Sequence, residues 1–356
     1  MAVCALAPAC ANAVTSVTLA WEPSPSKEVV GYHVVYAISS STNTETIDVG
    51  NATTATISAL SDSTTYSFAA VAYDKDGTES VASNRVTINQ GRVANLSTRV
   101  GVGSYGHVLI NGFIISGNDP KTIVVRAIGP SLSQFGVAGV LADPVLKLYD
   151  STGALIGSND NWRESQEAAF AEGGPFHDLQ PSSETESAIG ITLPPGSYTA
   201  IVSGKDNTEG VALAELYDYS PNVDSQLSNI SARALVQGGD NVLIGGVTID
   251  GEGSASRSAR LILRAIGPAL AAYGVTDTLN DPTLALYDSN GTLLGFNDDW
   301  QESLDQANEI SASGFAPTNS LESAMAILLP AGNYTAIVRG YNGAQGVALF
   351  DAYQVP

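Results

Sequence analysis

The sequence has almost no cysteine: Cys4 and Cys10 are the only two, both among the first ten residues. Beyond them, neither disulfides nor thiolate–metal sites can stabilise the chain. Histidine is nearly as scarce, and His33, His107 and His177 sit in unlike surroundings. No G-x-S-x-G elbow and no H-E-x-x-H pair occurs, so a catalytic triad or zinc site has no material. Basic residues are few, 15 Lys and Arg against 36 Asp and Glu, for a net charge of −21. Such a chain has no basic patch to follow a phosphate backbone, and an anionic membrane surface repels it. Nucleic acid is excluded as a partner on this ground. No apolar run is long enough to span a bilayer, so membrane insertion is not expected. Carboxylates abound, but a glycosidase needs two at a set separation in a cleft, which small sandwiches seldom provide. The chain is therefore expected not to be an enzyme.

What the sequence does have is a phrase used twice. Val124–Leu132 reads VVRAIGPSL and Ile262–Leu270 reads ILRAIGPAL. The match runs on through Asp143-Pro144 and Asp281-Pro282, then Leu148-Tyr149-Asp150-Ser151 and Leu286-Tyr287-Asp288-Ser289. Asn159-Asp160 with Trp162 returns as Asn297-Asp298 with Trp300, and Glu186-Ser187-Ala188 as Glu322-Ser323-Ala324. Self-similarity of this length marks a duplicated folding unit. The abundance of Gly, Ala, Val, Thr and Ser favours short strands joined by tight turns. We therefore expect an all-β chain with units at 92–221 and 222–356, each a β-sandwich or jelly-roll-like fold. Thr152-Gly153 and Asn290-Gly291 predict hairpin turns. The polar segments Glu164–Ala171 and Glu302–Ile310 predict one or two helical turns. Tyr198–Ser203 with Val211–Tyr217, and their second-copy equivalents, read as closing hairpins. Gly101–Gly106 fits G-x-G-x-x-G, but strand-like residues follow where a pyrophosphate site needs a helix, so it reads as a hairpin loop.

The N-terminal run MAVCALAPACANA is apolar and uncharged and ends in Ala11-Asn12-Ala13. That small-x-small ending predicts a signal peptide over 1–13, truncated at its start because the positive n-region is missing, and a secreted protein.

Residues 14–91 alternate in short runs: Val17–Trp21, Gly31–Tyr36, Ala55–Leu60 and Tyr66–Tyr73. Trp21, Gly31-Tyr32 with Tyr36, and Leu60 with Tyr66 resemble the second strand, the following strand and the tyrosine corner of a fibronectin type III domain. The resemblance implies an immunoglobulin-like sandwich that binds ligands or acts as a spacer. The second half of each repeat resembles the bacterial pre-peptidase C-terminal type of β-sandwich. Leu286–Gly291, Asn297-Asp298-Asp299 and Leu329–Tyr334 carry this likeness, with their equivalents in the first copy. It implies a non-catalytic accessory module, often calcium-stabilised, that contacts surfaces or polysaccharide.

Three sets of residues are candidates for function. The oxygen-rich cluster of Asp150, Asn159, Asp160 and Glu164, repeated as Asp288, Asn297, Asp298, Asp299 and Glu302, offers a hard cation such as calcium its preferred ligands. The alternative is that these residues only build turns. Trp162 and Trp300 are candidates to stack on sugar rings, against the alternative of covering the core. Arg126 and Arg264 lie in apolar strands and are expected to be buried and paired, with Glu186 and Glu322 as first choice and Asp143 and Asp281 as second. The leading expectation is a secreted binding or adhesion protein for polysaccharide or a cell surface. Its rivals are a spacer or self-associating fibre subunit, and the accessory region of a polysaccharide hydrolase.

Overall fold

The computed structural model describes residues 3–6, 15–38, 44–60, 66–88, 91–103, 107–220, 223, 225–239, 241–250 and 258–355. The chain divides into two compact units, the first holding Met1–Gly91, the second Arg92–Asp250 and Arg260–Val355.

The first unit contains β1 (Val3–Leu6), β2 (Thr15–Trp21), β3 (Val29–Ile38), β4 (Glu45–Asp48), β5 (Thr54–Leu60), β6 (Tyr66–Asp74) and β7 (Val86–Ile88). They form two sheets, β1-β2-β5 and β4-β3-β6-β7. The alternation in β2, β3 and β6 sends Leu19, Trp21, Tyr32, Val34, Phe68 and Ala70 into one core. Trp21 and Tyr32 meet edge to face with ring centroids 5.8 Å apart. β1 pairs antiparallel with β2, Val3 opposite Trp21. Ala11–Ala13, where cleavage is expected, and the link between Leu60 and Tyr66 lie outside the described residues.

In the second unit, the first copy contributes β8 (Arg92–Val102), β9 (Leu109–Gly117), β10 (Lys121–Ile128), β11 (Pro144–Asp150), β12 (Leu155–Asn159), α1 (Trp162–Phe170), β13 (Ser187–Leu193), β14 (Gly196–Gly204) and β15 (Gly210–Asp218). The second copy contributes β16 (Ser225–Val236), β17 (Leu243–Asp250), β18 (Ser258–Ile266), β19 (Pro282–Tyr287), β20 (Leu293–Asn297), α2 (Leu304–Ser313), β21 (Ser323–Pro330), β22 (Gly332–Gly340) and β23 (Gly346–Val355). These strands make two eight-stranded sheets, ordered β13-β10-β15-β8-β17-β22-β19-β20 and β12-β11-β14-β9-β16-β23-β18-β21.

Each sheet is half one copy and half the other. β8 pairs with β17, and their second- and first-copy counterparts β16 and β9 pair with each other. The registers correspond: Arg99 faces Ile244 and Ser97 faces Gly246, while Arg233 faces Ile110 and Ser231 faces Gly112. The two copies are thus related by an internal pseudo-twofold axis through a self-complementary junction. Glycine lets the serine opposite keep its rotamer at each junction: a Cβ at Gly246 would displace Ser97 Oγ, and one at Gly112 would come within 2.7 Å of Ser231 Oγ.

Strand alternation turns Ile123, Val125 and Ala127, and likewise Leu261, Leu263 and Ala265, to the interior between the sheets, where they are buried. The opposite faces of the same strands are covered at the ends of the sheets. There Val124 and Ala188 pack under Trp162 and Phe170 of α1, and Ile262 and Ala324 under Trp300 and Ile310, the latter on α2. Both predicted helical segments are therefore helices. The Thr152-Gly153 and Asn290-Gly291 turns do join paired strands, β11 with β12 and β19 with β20. Two other expectations are corrected. β8 and β9 belong to different sheets, as do β14 and β15 and β22 and β23, so these links cross the sandwich and are not hairpins. Local alternation reports a buried face, not which neighbour a strand pairs with.

Because the junction is self-complementary, residues 222–356 expressed alone should associate through their bared β16 and β17 edges into a symmetric dimer. Sedimentation equilibrium checks this, and a monomer at all concentrations would refute it.

Candidate functional site

The repeated phrase becomes intelligible residue by residue. Arg126 leaves β10 on its outer face and donates from Nε to Glu215 Oε2 at 2.9 Å, from Nη1 to the Leu179 carbonyl at 2.8 Å, and from Nη2 to the Tyr217 hydroxyl at 3.1 Å. Arg264 repeats this: a two-point pair with Asp351 at 2.9 and 2.7 Å, the Phe315 carbonyl at 2.8 Å and the Tyr353 hydroxyl at 3.1 Å. Ala127 and Ile128 are buried. Gly129 is required because a Cβ there would run into the Leu141 carbonyl oxygen, and Gly267 meets the Leu279 carbonyl in the same way. Pro130 and Pro268 open 3-10 turns, Pro130–Phe135 and Pro268–Tyr273, which end on left-handed Gly136 and Gly274.

The expected partners Glu186 and Glu322 do not pair with the arginines. Both are fully buried. Glu186 accepts from the backbone N–H of Gly129 at 3.1 Å, Ser131 at 3.0 Å and Ser183 at 3.1 Å. Glu322 accepts from Gly267 at 3.1 Å and Ala269 at 2.9 Å. They anchor the start of the 3-10 turns, a carboxylate at a helix N-terminus. The arginines instead find acids 89 and 87 residues further along the chain, on β15 and β23, which pair directly with β10 and β18. Asp143 and Asp281 are not their partners either. Burial pushes the Tyr217 phenol, beside Glu215, up to about 12.

Trp162 and Trp300 are not ligand platforms. They are 1% and 8% exposed, and their indole N–H groups donate to the Ser183 and Asn319 carbonyls at 3.1 and 3.2 Å.

The expected calcium ligands are dispersed. Asp150 accepts from Thr152 N and Ala154 N at 2.8 and 3.0 Å, and Asp288 from Asn290 N and Thr292 N, both at 2.8 Å: these are turn-builders. Asn159 and Asn297 hold the Ala188 and Ala324 N–H groups at 2.9 and 2.8 Å. Glu164 accepts from Asn161, and Glu302 is exposed. Among the described residues, no group of three His, Cys, Asp or Glu side chains converges as a metal cage. Asp160, Asp298 and Asp299 have a different company. In the first copy, Lys205 Nζ lies 2.7 Å from Asp160 and 3.6 Å from Asp143. In the second copy Tyr341 replaces Lys205, and Asp299 replaces Asn161. In both copies these acids keep one buried carboxylate oxygen without a hydrogen-bond partner, Asp143 and Asp160 in the first and Asp281, Asp298 and Asp299 in the second, so the difference between the copies is the Lys205 ammonium and the added Asp299. Desolvation, then the charges of Asp298 and Asp299, holds Asp281 above the usual carboxylate range. Desolvation and Asp299 do the same to Asp298.

A groove lies on the outer face of each sheet at the junction, and sequence reasoning did not find it. The first, about 650 Å³, crosses five strands from β10 to β22, a span of about 19 Å at the usual strand spacing. Its floor carries Ser97, Arg99, Gly246 and Thr335, and Phe135 stands at its wall. The second, about 490 Å³, has the equivalents Ser231, Arg233, Gly112 and Thr199, with Tyr273 at the wall. Phe135 and Tyr273 are 83% and 84% exposed. The only sequence signal was that an aromatic follows each repeated phrase at the same place.

Residues 9–89 match the model of the fibronectin type III domain. Nothing among the curated proteins matches the chain. Solved structures that are similar include the chicken CNTN1 FN1–FN3 domains, at 10% identity over 97% of this chain and 92% of that one, with a TM-score of 0.21. Another is the central fibronectin-III array of RIM-binding protein, at 11% identity over 99% and 95% of the two chains, with a TM-score of 0.18. Likenesses this low say nothing about the second unit.

Two outcomes follow from the buried charges. Lys121 and Asp218 form an ion pair with side chains 0% and 1% exposed, where the second copy has Ala259 and Gln354. Lys121→Ala alone should cost about 3–5 kcal/mol, because it strands a buried carboxylate, and adding Asp218→Gln should restore most of that. Denaturant titration measures both. For Asp298, the raised folded-state value means that the folded protein binds a proton more tightly than the unfolded chain does. Its contribution is present below the unfolded carboxylate value and lost as pH rises through the folded one. Asp298→Asn should therefore melt higher than the parent at neutral pH, and the gap should close on acidification.

Proposed function

We propose that the protein is a secreted, non-catalytic binding or adhesion protein that contacts polysaccharide through the two junction grooves. The observation that carries this reading is their duplication: the same small polar floor, arginine and exposed aromatic recur on both sheets about the pseudo-twofold axis. What marks Phe135 and Tyr273 among the exposed apolar side chains is that each stands beside a groove at the same place in the two copies, and two sites on one rigid frame favour an extended, repetitive ligand through effective concentration. The match of residues 9–89 to a fibronectin type III domain, a type used for binding or spacing, agrees with an accessory role. Among the described residues, no helix is long and apolar enough to cross a membrane. The test is a glycan array with the intact chain and a Phe135→Ala/Tyr273→Ala variant. Binding should fall at least about tenfold in the variant, a loss of about 1.4 kcal/mol. Equal binding by both proteins would move the site elsewhere.

A second reading, self-association into a fibre, is favoured by the sheet edge at β20. Leu293 and Phe296 are more than half exposed there, on a strand with one unpaired side, which invites edge pairing. Mass that rises with concentration and is abolished by Phe296→Lys would support it.

Calcium enters as a proposal for the second copy only. Asp281, Asp298 and Asp299 do not converge as a cage, but their charge would be offset by a cation that some of them bind, with water completing its shell, where the first copy has the Lys205 ammonium. Calcium should then raise the melting temperature of the parent and leave Asp298→Asn unchanged. Identical melting of the parent in calcium and chelator leaves these residues as turn-builders.

A further inference from the structure

We propose that the ligand of the two grooves is a carboxylated polysaccharide, with Arg99 and Arg233 each taking a sugar carboxylate while Phe135 and Tyr273 stack on the ring faces. This rests on the glycan-binding reading and names its ligand class.

The argument starts from charge. Acids outnumber bases by 36 to 15, so an arginine in this chain has many carboxylates to pair with. Arg126, Arg163, Arg260 and Arg264 all do so. Arg99 and Arg233 are exceptions. Each is half-buried in a groove floor and makes no ion pair among the described residues. Partly desolvating a guanidinium without a partner is unfavourable, yet both copies do it at the same register position. Charges held this way are preorganised for an anion from outside, and the guanidinium fork suits a carboxylate at two points.

The acids nearby are already engaged. Glu215 and Asp351 are held by Arg126 and Arg264, and Glu322 by backbone N–H groups. The first groove keeps one cation in excess, Arg99 and Arg126 against Glu215. In the second, Glu322 also reaches the lining, so the first should bind more tightly. The surroundings select among anions. A net charge of −21 disfavours a dense polyanion such as nucleic acid. A uronate chain is repelled at long range as well; what favours it is that each ring brings together a carboxylate for the arginine and an apolar face for the exposed aromatic. Gly246, Ser97 and Thr335, and their equivalents, keep the floor low and polar, as hydroxyl-rich rings crossing several strands require.

The test uses the full chain, calorimetric titration, and two forms of one oligomer: a short polygalacturonate and its methyl ester, which has the same rings without charge. Binding of the free acid is expected to be at least about tenfold tighter than of the ester, and to weaken with salt. Arg99→Gln/Arg233→Gln should erase that difference while melting like the parent, since it breaks no pair. Of the single variants, Arg99→Gln should lose more. If ester and acid bind alike and Phe135→Ala/Tyr273→Ala weakens both, the carboxylate inference fails and the glycan-binding reading stands. If neither form binds, and a broad neutral glycan panel does not either, both fall. Tighter binding of a polyglutamate peptide than of the free-acid oligomer overturns the inference in favour of a protein ligand.

Discussion

The second unit depends on one constraint: two pairs of strand edges, β8 with β17 and β9 with β16, satisfy each other's backbone groups. A strand edge left open in a sandwich of this size is a row of unmet donors and acceptors that recruits other chains. Here each copy closes the inner edges of the other, in equivalent register. The remaining edges are pushed to the far ends, at β12, β13, β20 and β21. The junction also explains small residues that pattern alone leaves unexplained. Gly112 and Gly246 stand where a side chain would collide with a serine across the axis. The grooves are a consequence of the same arrangement, because their floors span strands from both copies. Neither copy holds a complete groove.

The strand content, the duplication and both helices were legible because each rests on local pattern: alternation for strands, turn dipeptides for β11–β12 and β19–β20, and polar runs after Trp162 and Trp300 for the helices. Pairing was not legible. β14 and β15 adjoin in sequence and both alternate, as hairpin strands do, but they lie in opposite sheets. Alternation records that one face is buried and carries no information on the partner. The arginines show the same limit. A carboxylate pair for Arg126 and Arg264 followed from their place in apolar strands, although both side chains are half-buried and not fully buried as expected, and the partner depended on which strand lies alongside. β15 pairs with β10 at Arg126 and Glu215, and β23 with β18 at Arg264 and Asp351. The grooves were the least legible of all, since their residues come from strands that only the topology brings together.

Cross-strand pairing also explains what the arginines do. Each guanidinium binds a carboxylate on the neighbouring strand and a carbonyl in the loop that follows its helix, Leu179 or Phe315. The outer layer of α1 or α2 is thereby tied to the sheet by directional bonds as well as by Trp162 or Trp300. Replacement of such a pair by apolar residues is often neutral for stability, so the hydrogen-bond geometry accounts for the arrangement better than stability does. It fixes where the covering layer ends, and so where the open groove begins.

The differences between the copies carry as much information as the likenesses. Lys121 and Asp218 give way to Ala259 and Gln354, a charged pair replaced as a unit, as expected when either member alone would be stranded. Lys205 gives way to Tyr341 while the acids it compensated stay and Asp299 is added, which is the opposite pattern. Loss of the cation removes the charge that offsets desolvation at Asp143 in the first copy, and in the second copy desolvation and the added charge of Asp299 both hold Asp281 and Asp298 above the usual carboxylate range. Of the two substitutions, only the second leaves the copy worse off by itself. The divergence at this loop is therefore where a role for the second copy distinct from the first is physically motivated.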